Sequence, residues 1–180
     1  MDLWSALEPG RAVPKIVTVV VVTPKDSANV YAYHHHTDIF ALAHVIHTPY
    51  KPPGDLGFVP RTYTEGNAPL DVIVLSAAPN ARRTLVDCRP VALLRMTLDG
   101  VRDDAIVCVP DKDPRMARIK DLSDIEQHQL QEIQTFYESL FREQERVAQV
   151  DAWMGAKDAI RAIEHAIALY KRKLGAENKV

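Results

Sequence analysis

The stretch Ile16-Val-Thr-Val-Val-Val-Val-Thr23 decides the fold class, because every one of its residues is β-branched. Such side chains suit a pleated strand and weaken a helix, so this stretch predicts a β-strand that ends before Pro24. Outward from it, short runs separated by turns rich in Asn, Pro and Gly predict more strands at Val30–Tyr33, Ile39–Ile46, Asp71–Ser76, Pro90–Met96 and Ala105–Val109. The run Ile39–Ile46 is nearly all apolar and is expected to be buried on both faces. This spacing of short strands is typical of a barrel.

The last third of the chain changes to a helical period. Ser123-Asp-Ile-Glu126 fits a capping box and predicts the start of a helix, whose apolar stripe would be Leu130, Ile133, Tyr137, Leu140 and Phe141. A second stripe opens at Trp153, continues through Ala156, Ile160, Ile163, Ile167, Tyr170 and Leu174, and would end at Gly175 as the C-cap. Both stripes are expected to pack on the sheet or on each other, and a contact with a partner subunit is the alternative.

Composition excludes several classes of protein. The chain has 180 residues, 47% of them hydrophobic, and a net charge of −2, so it is not intrinsically disordered and is expected to form one domain over residues 1–180. No run of Lys and Arg supplies the charge that a nucleic-acid partner requires. The apolar run 16–22 is far shorter than the roughly 20 residues of a membrane span. With no basic N-terminal region and only Cys88 and Cys108 as cysteines, we expect a cytoplasmic protein with free thiols.

Acidic residues at strand ends are the first candidates for chemistry. Asp99, Asp103 and Asp104 lie in the turn before the predicted strand Ala105–Val109, and Asp71 opens another strand. Carboxylate oxygens suit hard cations such as Mg²⁺, so these four aspartates are candidate metal ligands. Acidic turns are common in any domain, and spacing alone favours that simpler explanation.

Histidines are the second candidates. His34, His35 and His36 alternate faces in a strand, so only two of them could share a metal, and no standard zinc spacing is present. His44 could act as a general acid or base if it lines a pocket, because the pKa of an imidazole lies near neutrality. No nucleophile elbow, phosphate-binding P-loop or dinucleotide fingerprint is found.

Three stretches taken together resemble the family I soluble inorganic pyrophosphatases. The first runs from Pro53-Gly-Asp-Leu-Gly57-Phe58-Val59 to Ala68-Pro-Leu-Asp71-Val-Ile-Val74. The second is Cys88-Arg-Pro-Val-Ala-Leu-Leu-Arg-Met96 with the acidic turn and Ile106-Val-Cys-Val-Pro110 after it. The third is Ile119-Lys-Asp-Leu122 with the two helices that follow. The resemblance covers most of the chain.

The resemblance implies an α+β, mainly β fold, in which a five-stranded OB-like barrel carries two flanking C-terminal helices. It implies Mg²⁺-dependent hydrolysis of diphosphate to two phosphates, with three or four metal ions held by aspartates, and assembly as a homohexamer. On this scaffold the metal ligands would be Asp71, Asp99, Asp103 and Asp104. A small molecule would bind in the barrel pocket.

The chain departs from the family pattern at the residues that would do the chemistry. The Asp-Gly-Asp-Pro-x-Asp signature reads Gly66-Asn-Ala-Pro-Leu-Asp71, so Ala68 replaces the aspartate that would orient the attacking water. Leu98 and Ala105 stand where a metal-binding aspartate and a phosphate-binding lysine are expected. Val22, Val30 and His44 stand where the family pattern has a metal-linked glutamate, a lysine and an arginine. Leu56 and Phe58 replace two tyrosines, and Ser139-Leu140 replaces a Tyr-Lys pair that grips phosphate.

Three functional hypotheses remain open from the sequence. The chain could be a weak Mg²⁺-dependent pyrophosphatase that uses Asp71, Asp99, Asp103 and Asp104. It could be a non-catalytic pseudoenzyme or assembly subunit. It could also be an enzyme with a different reaction, in which His44, Asp71 and Asp103 are the catalytic acid–base groups. The replacements are mostly apolar, which favours a ligand less charged than pyrophosphate and therefore the second or third hypothesis.

Overall fold

Five strands form a closed ring in the computed structural model, which describes residues 2–177. The strands are β1 (Val17–Thr23), β2 (Asn29–His34), β3 (Ile39–Val45), β4 (Asp55–Val59), β5 (Leu70–Val74), β6 (Leu85–Leu98), β7 (Val101–Arg102), β8 (Ala105–Pro110) and β9 (Ala148–Gly155). The α-helices are α1 (Leu3–Ala6), α2 (Gln127–Glu143) and α3 (Ala156–Glu177). No helix among the described residues combines the length and the apolar character needed to cross a bilayer.

The ring runs β1-β4-β5-β8-β6 and returns to β1. All of its pairs are antiparallel except β5–β8, where Ile73 lies opposite Val107 in a parallel register. Closure depends on the 14-residue strand β6, whose first residues pair with β1 and whose later residues pair with β8 and β9. The ring confirms the predicted OB-like barrel with two C-terminal helices.

Each helix covers a different part of the barrel. Ile133 and Phe136 of α2 join a buried cluster with Ile73 and Val107. Ile163 of α3 joins a second cluster with strand residues that include Val72, Val74, Leu93 and Ile106. Most residues of the predicted apolar stripes are therefore buried or half-buried and both helices pack against the sheet, whereas Leu174 at the end of the second stripe is 41% exposed.

A buried carboxylate anchors the loops at one end of the barrel. Asp55 is fully buried at the start of β4, where its carboxylate accepts hydrogen bonds from the Lys25 backbone N–H at 2.8 Å and from the Asn80 side-chain amide at 2.7 Å. Charge-assisted bonds of this kind offset the cost of burying the charge. Asp55 therefore holds together the segments that follow β1 and β5.

Two predictions about burial and helix starts were wrong. Strand β3 is not buried on both faces, because β2 and β3 form a separate two-stranded sheet and leave Ile39 and Leu42 more than half exposed. Trp153 does not open the last helix, because it lies in β9 and pairs with Leu94. Helix α3 begins at Ala156, whose N–H donates to the Asp121 carboxylate at 2.7 Å.

The predicted helix caps also differ from the structure. The capping box is formed by Asp121 and Asp124 around a short 3₁₀ turn, Leu122–Asp124, instead of by Ser123 and Glu126. Helix α2 starts after Glu126, which makes no side-chain cap. Helix α3 continues to Glu177 and so passes Gly175. The strands β4 and β9 had no counterpart among the predicted strands.

Candidate functional site

The barrel-mouth pocket, as we name it, is a cavity of about 280 Å³ that opens between the barrel, the β2–β3 hairpin and α2. Its walls are almost entirely apolar or aromatic. They are formed by Val22, Thr23, Val30, Tyr31, Ala32, Tyr33, Leu56, Gly57, Phe58, Ala68, Pro69, Val72, Tyr137, Leu140 and Phe141, and Asp71 completes the lining. The lining includes Val22, Val30, Leu56 and Ala68, four of the positions at which the chain departs from the family pattern, and the volume lies just below the usual range of ligand sites.

Asp71 is the charged side chain of this lining. It sits at the second position of β5, where alternation points it away from the core that Val72 enters. The residue is exposed to solvent within a pocket that the barrel, the β2–β3 hairpin and α2 enclose. This enclosure, together with the nearby Asp103 carboxylate, raises the pKa of Asp71 to about 7. Asp71 therefore exchanges a proton near neutral pH.

Asp103 and Tyr137 complete a small polar cluster with Asp71. Partial burial raises the pKa of Asp103, an effect that Arg146 opposes and the Asp104 carboxylate reinforces. Tyr137 comes from α2, and its pKa is raised by burial and by the charges of Asp71 and Asp103. The three groups thus interact electrostatically, and they can hold or move a proton at the pocket wall.

The other two predicted metal ligands, Asp99 and Asp104, are held by protein donors, although the charge of Asp104 acts on Asp103. The Asp99 carboxylate accepts from Arg146 Nε at 2.7 Å and from the Val147 N–H at 2.9 Å, and these bonds lower the pKa of Asp99. The Asp104 carboxylate accepts from Arg102 Nε at 3.0 Å and from the Met96 N–H at 3.2 Å. Both carboxylates are therefore occupied with protein donors.

This donor set does not fit a cluster of three or four magnesium ions. Within residues 2–177, no group of three or more His, Cys, Asp or Glu side chains is placed to hold a metal. Asp71 and Asp103 could together hold one Mg²⁺ with water ligands, since Mg²⁺ often takes one or two carboxylates. The walls around them add no further carboxylate, and their other side-chain oxygens are the hydroxyls of Thr23, Tyr31, Tyr33 and Tyr137, which are poor ligands for Mg²⁺ compared with carboxylates.

His44 lies outside the lining of the barrel-mouth pocket. It pairs with Val30 across the hairpin, and its Nε2 atom lies 2.7 Å from Oε2 of Glu143, at the end of α2. The same carboxylate accepts from the backbone N–H groups of His47 and Thr48 at 3.2 and 3.0 Å. We name this arrangement the Glu143 clamp, which joins α2 to the end of the hairpin.

The rings of His35 and His36 and the two cysteines make packing contacts within the protein. The ring of His35 contacts Trp4 and His36, with centroid distances of 4.7 and 3.8 Å. Cys88 and Cys108 are fully buried free thiols in the barrel wall, and burial raises the pKa of both. Neither cysteine is exposed for nucleophilic chemistry.

A second and larger cavity, of about 400 Å³, lies beside α3 and is lined by Arg95, Arg102, Asp104, Arg161 and other side chains. Its arginines face carboxylates: Arg102 binds Asp104, and Arg161 lies 3.7 Å from Asp158. Because these charges largely compensate one another, the barrel-mouth pocket is the better candidate despite its smaller volume.

Sequence reasoning missed the roles of two residues at this site. Tyr137 was predicted only as part of an apolar stripe, although its phenol group interacts with Asp71 and Asp103. A polar tip on an otherwise apolar stripe is the signal that could have identified it. Glu143 had no such signal, since its partner His44 is 99 residues away along the chain.

Comparison with known proteins gives one consistent result. The family model described as inorganic pyrophosphatase matches residues 19–171. An inorganic pyrophosphatase from Haloferax volcanii is 36% identical over 173 residues, which are 95% of this chain and 97% of that protein. One from Nostoc is 32% identical and covers 91% of this chain and 96% of its own length. The crystal structure of inorganic pyrophosphatase from Thermus thermophilus superposes with a TM-score of 0.89 at 33% identity, covering 95% of this chain and 99% of that chain.

Proposed function

The chain belongs to the inorganic pyrophosphatase family, and from this premise we propose that it binds a small molecule less charged than pyrophosphate in the barrel-mouth pocket. In this proposal Mg²⁺-dependent hydrolysis of diphosphate, the activity named in its relatives, is weak or absent. The observation that carries the proposal is the pocket lining, in which apolar and aromatic side chains surround a single carboxyl group.

The lining opposes the binding of pyrophosphate. A polyanion needs cationic or N–H donors to replace its hydration, and none of the described side chains that line this pocket belongs to Lys, Arg or His. Asp71 and the nearby Asp103 carboxylate would repel an anion. The apolar walls instead favour a ligand with an apolar body, which gains free energy from burial.

A metal cluster would have to supply the missing positive charge, and the side chains support at most a single ion at Asp71 and Asp103. When bound, Mg²⁺ would supply Lewis acidity and charge neutralisation. Asp71 itself would accept or donate a proton, since its pKa lies near 7. His44 stays a candidate from the sequence, but its bond to Glu143 assigns it a structural part in this proposal.

Phosphate release from pyrophosphate in excess Mg²⁺ or Mn²⁺ tests the proposal. Losing one stabilising contact in a phosphoryl or acyl transfer site lowers the rate by a factor of about 10²–10³. Because this chain lacks several such contacts, we expect a turnover at least about 1,000-fold below that of the Haloferax volcanii relative, assayed in parallel. Turnover within about tenfold of that relative would overturn the proposal.

The expected homohexamer is part of the same proposal. The β2–β3 hairpin exposes large apolar side chains, and Ile39 and Leu42 are 55% and 56% exposed. Such residues support a contact between protein surfaces. Sedimentation velocity of the full chain and of Leu42→Glu is the test, and a monomeric wild-type chain would contradict this part of the proposal.

A further inference from the structure

We propose that the barrel-mouth pocket selects a small organic cation, an ammonium group attached to an apolar body. The inference rests on the proposed function and names the class of ligand for the same pocket. Its basis is an acidic pair, of which Asp71 lines the pocket among aromatic side chains and Asp103 acts on Asp71 through its charge.

The first argument is the sign of the charge. Asp71 lines the pocket, and the charge of the Asp103 carboxylate acts on it. Arg146, the cation whose charge acts on Asp103, donates its hydrogen bond to Asp99 instead. A cationic ligand would relieve the repulsion between Asp71 and Asp103, whereas a neutral ligand would leave it and an anion would increase it.

The second argument is the chemistry of the walls. Tyr31, Tyr33, Phe58, Tyr137 and Phe141 line the pocket, and aromatic faces attract cations while offering apolar area. The protein already uses one of these rings in this way, because the guanidinium carbon of Arg82 lies 3.9 Å from the centre of the Tyr31 ring. Arg82 does not itself line the pocket.

The third argument is size. A cavity of about 280 Å³ lies just below the usual range for drug-sized ligands, so it suits a compact molecule with one ring or a short alkyl chain. One ammonium group would use the acidic pair, and the apolar body would fill the space between Leu56, Leu140 and Val30.

Calorimetric titration of the full chain with three probes of matched shape tests the inference. The probes are 2-phenylethylamine, 2-phenylethanol and phenylacetate, which are a cation, a neutral molecule and an anion. We expect the amine to bind at least about tenfold more tightly than the alcohol, because one hydrogen bond to a charged group is worth that much, and the anion to bind least.

Asp71→Asn should reduce the preference for the amine to about twofold or less. Asp87→Asn, a change of an exposed aspartate outside the pocket lining, should leave it unchanged.

The other possible outcomes of this titration separate the inference from the proposed function. Equal binding of amine and alcohol overturns the choice of a cation but supports an apolar pocket, so the proposed function survives. Binding of neither probe overturns both statements. A preference for the amine that persists in Asp71→Asn overturns the inference, provided that alcohol binding and circular dichroism show the variant to be folded. Loss of amine binding in excess Mg²⁺, with alcohol binding retained, supports the acidic pair as the shared site.

Discussion

Replacing Glu143 with glutamine removes the charge at the centre of the Glu143 clamp while keeping the shape of the side chain. The carboxylate receives three hydrogen bonds, from His44 Nε2 and from the N–H groups of His47 and Thr48, at 2.7, 3.2 and 3.0 Å. The side chains of His44 and Glu143 are only 17% and 13% exposed. The glutamine amide can accept through one oxygen only, so at least one donor is left without a partner.

The expected loss follows from those contacts. Bonds to a charged acceptor contribute about 1.5–3 kcal/mol each and are not additive, so we expect Glu143→Gln to lower the free energy of unfolding by about 2–3 kcal/mol at pH 7. For a chain of this length, that corresponds to a Tm lower by roughly 4–12 °C. Urea denaturation and calorimetry measure both quantities, and Glu132→Gln, on the exposed face of α2, is the matched control.

The pH dependence gives an independent check. The hydrogen bond from His44 lowers the pKa of Glu143 from its usual 4.5 to about 2. Burial of the carboxylate opposes this shift, and the donors of His47 and Thr48 add to it. Because the pKa of Glu143 is lower in the folded than in the unfolded protein, its ionised carboxylate stabilises the fold fully at pH values above the unfolded-state pKa. This contribution is lost as the pH falls through the folded-state pKa. The difference between wild type and Glu143→Gln should therefore be full at pH 7 and shrink by about half between pH 5 and pH 3. A difference that is constant over this range, or absent at pH 7, would refute the clamp.

Two further predictions concern the pocket and the barrel. Carbon-detected NMR should give the Asp71 carboxyl a titration midpoint near pH 7. Asp103→Asn should lower that midpoint, because it removes a repulsive charge. A wild-type midpoint near pH 4 would contradict the interaction between Asp71 and Asp103. Gly57→Ala should lower the free energy of unfolding by about 1–3 kcal/mol, because a Cβ atom at position 57 would overlap the Val20 carbonyl oxygen. Gly66→Ala is the control in the same denaturation assay and should change little, because a Cβ atom there meets nothing closer than 3.7 Å.

Strands and helices with a strong local period could be predicted from the sequence. β1 and β8 are dominated by β-branched and apolar residues, and the stripe of α2 fixes which face is buried. Strand β9 escaped prediction because Ala148–Gly155 has a weak pattern and is ordered by pairing with the distant strand β6. The error at β3 has a similar cause, because burial depends on which sheet covers a strand and not on the strand's own composition.

The candidate site was only partly readable from the sequence. The resemblance placed Asp71 and Asp103 near one another, and the structure brings them close enough to affect each other's charge. Asp99 and Asp104 lie in the same acidic turn, yet each turns to an arginine. Side-chain direction at a turn is set by long-range partners such as Arg146, which local spacing cannot reveal.

The single parallel pair of the ring, β5–β8, has a consequence for how the barrel forms on the ribosome. Strand β5 ends at Val74, and its parallel neighbour begins at Ala105, roughly 30 residues later, which is about 2–6 s of synthesis. Until then one edge of β5, with Ile73 and Val74, has no partner in the nascent chain and is open to wrong pairing. We therefore expect ribosome-bound chains that stop before Ala105 to recruit chaperones, and those that extend beyond Pro110 to release them.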